Sequence, residues 1–318
     1  MGTLAGQESS GGPESISSLV DQASGVIYNA LAKSTFESYT RTWAAFLEFL
    51  DCKGLDVSVK KLNASHVMIY LMSLVNKGLA SSTIISRMSA LNFVFKLLKL
   101  PEPSMDFWIK EFLIGLKKMN PQADTRIAIT LQVLEQMIKS LDNLDLSSYD
   151  KKMFKAMFTL MFHGFLRPGE VTGKINNLMF QHCDLHKKLL FLTFFKFKHH
   201  KGPPYSIKVE RTKTVDCPVR AMHEYLAVRG SKKGPLFCFK KRKIVSYSRL
   251  SNLLKKCVSI LNIKGKCTPH CFRIGAATWA ASQGASDQEI KRIGRWSNDS
   301  FLKYVRIPIL ALKLKLKK

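Results

Sequence analysis

The chain has 318 residues, 46% of them apolar, more than one hydrophobic core usually serves and enough for two domains to fold. Lys and Arg number 50 against 23 Asp and Glu, a net charge of +27. Such a field attracts a polyanion, with nucleic acid first and an anionic membrane surface or ribosomal RNA as the alternatives. No small-molecule substrate is implied. The longest apolar runs, such as LLFLTFF at 189–195, fall far short of the ~20 residues that span a bilayer. Only the tail ALKLKLKK hints at a membrane-surface helix. The polar opening MGTLAGQESSGGPES argues against a signal peptide.

The charge is unevenly spread. Residues 1–125 hold 12 Lys/Arg against 11 acids, and residues 126–318 hold 38 against 12. One half is therefore neutral and the other intensely basic. Residues 1–15, rich in Gly, Ser and Glu, read as disordered. Residues 16–118 read as a bundle of four helices. Ser34-Thr35-Phe36-Glu37 has the form of a capping box, opening a helix whose apolar stripe runs Phe36, Tyr39, Trp43, Phe46, Leu47, Leu50 and which stops near Gly54. Further helices are predicted over 64–77, 81–99 and 105–118. The polar stretch 119–129, with its proline, reads as a linker.

Residues 130–318 read as the second domain, mostly helical with a small antiparallel sheet. Helices over 130–142 and 148–165 lead into GFLRPGEVTG. The period then changes to alternation, with strands over 189–198 and 205–211 joined by HHKGPP. Helices resume over 218–229, 248–262, 270–283, 287–294 and 299–306. The seven cysteines are never spaced as CxxC, which favours reduced thiols. Two stretches resemble metal ligand sets, His182-Cys183 with His186 and Cys267 with His270 and Cys271. Neither has a second ligand pair at the right spacing, and both read as ordinary residues.

Two-metal DNA cleavage needs converging carboxylates, and among the 12 acids of the basic half no DxE or DxD pair stands out. Phosphoryl chemistry here would fall to Arg, Lys and His around the phosphate, with a side-chain oxygen as nucleophile and no cofactor. His270 and Arg273, three apart after Pro269, share one face at a helix N-terminus, where the dipole and free N–H groups favour anions. Arg167 follows an apolar helix, and Glu170 three residues on can orient its guanidinium.

An Arg in F-L-R-P-G-E, a hairpin lysine, H-x-x-R opening a helix, then G-R-W and a C-terminal Tyr, in that order, resemble the tyrosine recombinases, or phage-integrase-type recombinases. The four-helix region resembles their SAM-like core-binding domain. HCFRIGAATWAA and IGRWSNDSFLKYVR are most similar to recombinases of eukaryotic mobile elements, the DIRS-like retrotransposons and Cryptons. The resemblance implies that Arg167 and Arg273 are the catalytic arginines, His270 the histidine of H-x-x-R and Tyr304 the nucleophile. Lys198 stands where the family has its hairpin lysine, with Lys196 and Lys201 as alternatives. The third box departs from the common Leu-Gly-His. Trp296, eight residues before Tyr304, is favoured there, and Arg295, nine before it, is the alternative.

Further implications are a double-stranded DNA partner, a tetramer on two recombining sites, and docking of Ile307, Ile309, Leu310 and Leu312 on a neighbour. KKRK at 240–243 also has the form of a nuclear-import signal, although inside a folded domain DNA-backbone contact or a solvated face is the leading reading. The expected location is the nucleus if the host is eukaryotic and otherwise the cytoplasm with DNA. Rival readings are a topoisomerase with the same tyrosine chemistry, a catalytically inactive DNA-binding protein of mobile-element origin, and an RNA-binding protein.

Overall fold

The computed structural model describes residues 26, 30–55, 58–119, 124–173, 177–195 and 202–306. The chain divides into two compact units, Met1–Ala123 and Asp124–Lys318.

The first unit holds four α-helices, α1 (Lys33–Cys52), α2 (Ala64–Asn76), α3 (Ser81–Leu97) and α4 (Phe107–Met119). Their core is built on Phe46, Tyr70, Leu71, Ile84, Leu91 and Phe95, with the Phe46 and Tyr70 rings 5.3 Å apart. Two expectations are corrected here. α1 begins at Lys33, with Ala32 as N-cap and no side-chain cap. The Ala32 carbonyl accepts from Phe36 at 3.0 Å, which closes the first turn early and leaves Ser34 inside it. Leu47 lies on the solvent side of α1 rather than in its stripe.

The second unit is mainly helical around a small sheet. It runs α5 (Leu131–Ser140), α6 (Ser148–His163), the short α7 (Pro168–Val171), β1 (Cys183–Leu185), β2 (Leu189–Phe194), β3 (Tyr205–Glu210), α8 (Pro218–Arg229), α9 (Tyr247–Ile260), α10 (His270–Ser282) and α11 (Asp287–Gly294). The sheet is antiparallel in the order β1-β2-β3, with Leu190 opposite Val209 and Leu192 opposite Ile207. These four side chains are buried, as period-two alternation requires. The sequence pattern does not predict β1, because three residues are too few to show a period. Among the described residues no helix is long and apolar enough to cross a membrane.

α6 forms the centre of this unit. Met153, Phe154 and every residue from Ala156 to Phe162 are buried, so the helix is enclosed on all sides. α10 packs beside it, with Phe272 meeting Phe158 at 5.2 Å between ring centroids and Trp279 meeting Phe162 at 6.2 Å, and its small residues Gly275, Ala276, Ala277 and Ala280 are buried. Part of the polar stretch that reads as a linker lies on this unit. Ile127 donates to the Lys266 carbonyl at 3.0 Å and Ile129 to Cys271 at 3.3 Å.

Gly275 makes that approach possible. A Cβ at this position would stand 1.8 Å from the Ile129 carbonyl oxygen and 2.7 Å from its carbonyl carbon, and these backbone atoms cannot yield as the end of a side chain could. Gly275→Ala should therefore lower stability by about 3 kcal/mol, the upper part of the range for overpacked cores. Urea unfolding of the full chain measures this directly.

Candidate active site

Four stretches far apart in sequence meet around Arg273. His270 takes the first position of α10, with Arg273 one turn further on. Arg273 is 1% exposed, and its two terminal nitrogens donate to the carbonyls of Phe165 and Gly294. Its guanidinium lies on the face of Trp296, 3.8 Å from the ring centroid, and 5.9 Å from the centroid of Tyr304. The Trp296 and Tyr304 rings are 5.3 Å apart.

Arg167 is the N-cap of α7. Its backbone N–H donates to Glu170 Oε2 at 2.8 Å, its Nη1 to Oε1 at 3.2 Å and its Nη2 to the Arg295 carbonyl at 2.9 Å. Glu170 is only 3% exposed and also accepts from Arg295 Nη2 at 2.8 Å. One buried carboxylate thus orients two guanidiniums. The Arg167 side chain keeps 20% of its surface open to solvent, enough for an anion to reach it.

The two candidates for the third box separate cleanly. Arg295 caps α11 in the left-handed region, at φ 56°, and this turns its side chain inward, to Glu170 and over the Phe194 ring at 4.4 Å. It is a support behind the site. Trp296 lies against Arg273 and Tyr304. Gly294 permits this, since a Cβ there would stand 1.6 Å from the indole. Phe165, whose carbonyl binds Arg273, is also left-handed, at φ 51°. Bulky residues in that region cost of order 1 kcal/mol or more each, and they gather where structure serves function.

The electrostatics of the cluster favour an incoming anion. Burial pushes the Arg273 pKa well below its ordinary value, and the nearby charges of Arg167 and Arg295 push in the same direction, while Glu170 and Tyr304 oppose them. Burial also lowers that of Arg295, against the opposing pull of Glu170. A guanidinium stays charged regardless, so burial makes each of these charges costly to hold. Among the described residues Arg273 has no ion-pair partner, unlike Arg167 and Arg295.

Tyr304 departs from its expected setting. Its segment is a 3-10 helix, Asp299–Lys303, capped by Asn298, rather than an α-helix over 299–306. Lys198 and its alternatives Lys196 and Lys201 lie outside the described residues, as do Ile307, Ile309, Leu310 and Leu312. β3 is tied to α11 by Tyr205, whose hydroxyl donates to the Arg292 carbonyl at 3.1 Å. Among the described residues no group of three or more His, Cys, Asp or Glu gathers as metal ligands. The inward role of Arg295 escapes sequence reasoning, although a large residue directly after a helix-ending glycine is a signal for an unusual backbone.

The fold and the cluster define a two-domain DNA strand-breaking and rejoining enzyme of the tyrosine recombinase class. The chain belongs to the phage integrase family, whose catalytic region it matches over residues 128–306, and it matches the phage integrase N-terminal SAM-like domain over residues 25–101. No curated protein matches it in sequence. In fold it is similar to the XerH site-specific recombinase bound to a palindromic difH substrate in a post-cleavage complex, at 14% identity and a TM-score of 0.64, covering 95% of this chain and 84% of that one. It is also similar to the Tn1549 transposon integrase in complex with a circular intermediate DNA, at 14% identity, a TM-score of 0.61 and coverage of 94% and 98%. For a lambda integrase dimer bound to a COC′ core site the figures are 14%, 0.59, 92% and 80%.

Removing Arg295 strips a buried carboxylate of one of its two cations. Arg295→Gln should cost about 3 kcal/mol, the low end for a broken buried pair because Arg167 remains. The loss would appear as an earlier midpoint in urea.

Proposed function

We propose that this chain is a site-specific recombinase or integrase that cuts and rejoins double-stranded DNA through a 3′-phosphotyrosyl link at Tyr304. The observation that supports this most is the placement of the Tyr304 ring beside a buried guanidinium that lacks a carboxylate, with Arg167 in the same cluster.

The phenolic oxygen of Tyr304 attacks the scissile phosphorus. A bond forms from that oxygen to phosphorus, and the bond from phosphorus to the 5′ oxygen breaks. Arg167 and Arg273 hold the non-bridging oxygens as charge builds, a task that a planar guanidinium performs bidentately. His270, in the first turn of α10, accepts the phenolic proton, against a reference pKa of about 10. The hairpin lysine, Lys198 in this reading, returns a proton to the departing 5′ oxygen. Trp296 adds an indole N–H to the clamp. Because the phosphotyrosyl link conserves the bond energy, a DNA end can attack it in turn without ATP or metal.

The surrounding charge suits the same substrate. From Lys174 to Ile274 there are 23 Lys/Arg against 4 acids, more than chemistry needs. These residues would contact phosphates without reading sequence. The motif wording supports a mobile-element recombinase of the DIRS-like or Crypton kind, acting in the nucleus as a tetramer on two recombining sites. A catalytically inactive DNA-binding descendant is the second reading, and the complete set of Arg167, His270, Arg273 and Tyr304 favours the enzyme.

Incubation with nicked suicide DNA duplexes should give a covalent protein–DNA adduct on denaturing gels, abolished by Tyr304→Phe with DNA binding retained. DNA binding without any adduct in the unaltered protein would support the inactive reading. Relaxation of supercoiled plasmid without strand exchange would support a topoisomerase.

A further inference from the structure

Tyr304 lacks the α-helix that would ordinarily fix a nucleophile. Its backbone N–H donates to the Phe301 carbonyl at 2.7 Å, at the end of a 3-10 segment. The next two residues are held from outside that segment. The Thr278 hydroxyl, on α10, donates to the Tyr304 carbonyl at 3.0 Å and accepts from the Arg306 N–H at 3.0 Å. A hydroxyl is the smallest side-chain group able to donate and accept at once, so one oxygen straps both sides of Val305.

A second tie is made by the Arg306 side chain. Its guanidinium pairs with Asp124 Oδ2 at 2.6 Å. Asp124 is itself fixed by Arg126, through Nε at 2.8 Å, Nη2 at 2.7 Å and the backbone N–H at 3.1 Å. The Arg126 hydrogen bonds outweigh burial and hold this carboxylate well below the usual range. Residues 127 and 129 are bonded to Lys266, just before α10, and to Cys271 in its first turn. The strap thus runs from α10 through Thr278 to the tyrosine segment, then through Arg306 and Asp124 back to the N-terminal end of α10, the end that carries His270 and Arg273.

We propose that Thr278 and the Asp124–Arg306 ion pair are positioning residues that hold Tyr304 at the arginine cluster. The proposal rests on Tyr304 being the nucleophile proposed above. None of the three touches the reacting atoms. Their effect is on geometry, where a displacement of about 1 Å can slow a reaction about 100-fold.

Two readouts in the full chain test it. Thr278→Val keeps the shape and removes the hydroxyl, and Thr278→Ser restores it. Thr278→Val should form the covalent adduct roughly 10- to 100-fold more slowly at saturating DNA, with DNA affinity and melting temperature close to those of the unaltered protein. Asp124→Asn should slow the adduct in the same sense. Hydrogen–deuterium exchange should show the peptide spanning 301–306 exchanging at least about tenfold faster in Thr278→Val, since the Arg306 N–H loses its acceptor. Thr278→Ser should recover both the rate and the protection. Adduct formation at the normal rate in Thr278→Val, or unchanged exchange over 301–306, would overturn the proposal. Absence of adduct from the unaltered protein would count against the proposed function, and the exchange measurement would still decide whether the strap exists.

Discussion

The Arg273 guanidinium is bound by two backbone carbonyls and an indole face, with no carboxylate of its own. A buried ion costs several kcal/mol unless it is compensated, and the fold supplies the compensation from chain ends. Phe165 lies just beyond the C-terminus of α6, and Gly294 is the last residue of α11. The final carbonyls of a helix have no partner within it and carry the negative end of its dipole. The C-terminus of α11 and the turn that follows α6 therefore converge on one cation while the N-terminal turn of α10 presents it. Displacing either segment would remove one of the two carbonyls.

Other features of the unit answer to that constraint. α10 must sit close to its neighbours, which requires Gly275 under Ile129. The α6 and α11 carbonyls must point at Arg273, which accounts for the left-handed Phe165 and Arg295. Those distortions are secured by the Glu170 carboxylate, joined to both Arg167 and Arg295. Carbonyls satisfy the geometry of Arg273 without cancelling its charge, so the cluster retains its attraction for a phosphate. The enclosed apolar core around α6 provides the stability against which this charge is held.

Much of this is legible in the sequence, and the remainder is hidden for physical reasons. The helices of both units and the hairpin carry local signals of apolar period or caps, and His270 and Arg273 share one helical face by spacing, whereas Arg167 and Tyr304 stand out only through the order of motifs that resembles the tyrosine recombinases. The capping box at Ser34 misleads because the backbone turn closes two residues earlier, at Ala32, where no side chain is needed to start it. Trp296 and Arg295 cannot be separated by counting, because the left-handed backbone at Arg295 decides which side chain faces the cluster. The 3-10 geometry before Tyr304 and the tie from Thr278 to Arg306 are tertiary, linking residues 28 apart. No periodicity encodes such pairs.

The central claim is that the arginine cluster is built to hold a phosphoryl group against Tyr304. Orthovanadate adopts the five-coordinate geometry of a phosphoryl group in transfer, so a crystal structure of the protein with DNA and vanadate tests the claim most directly. The account predicts vanadium within bonding distance of the Tyr304 hydroxyl oxygen, with its equatorial oxygens hydrogen-bonded to the guanidiniums of Arg167 and Arg273. Vanadate bound away from these arginines, or a Tyr304 hydroxyl turned from the metal with another side chain in its place, would contradict it.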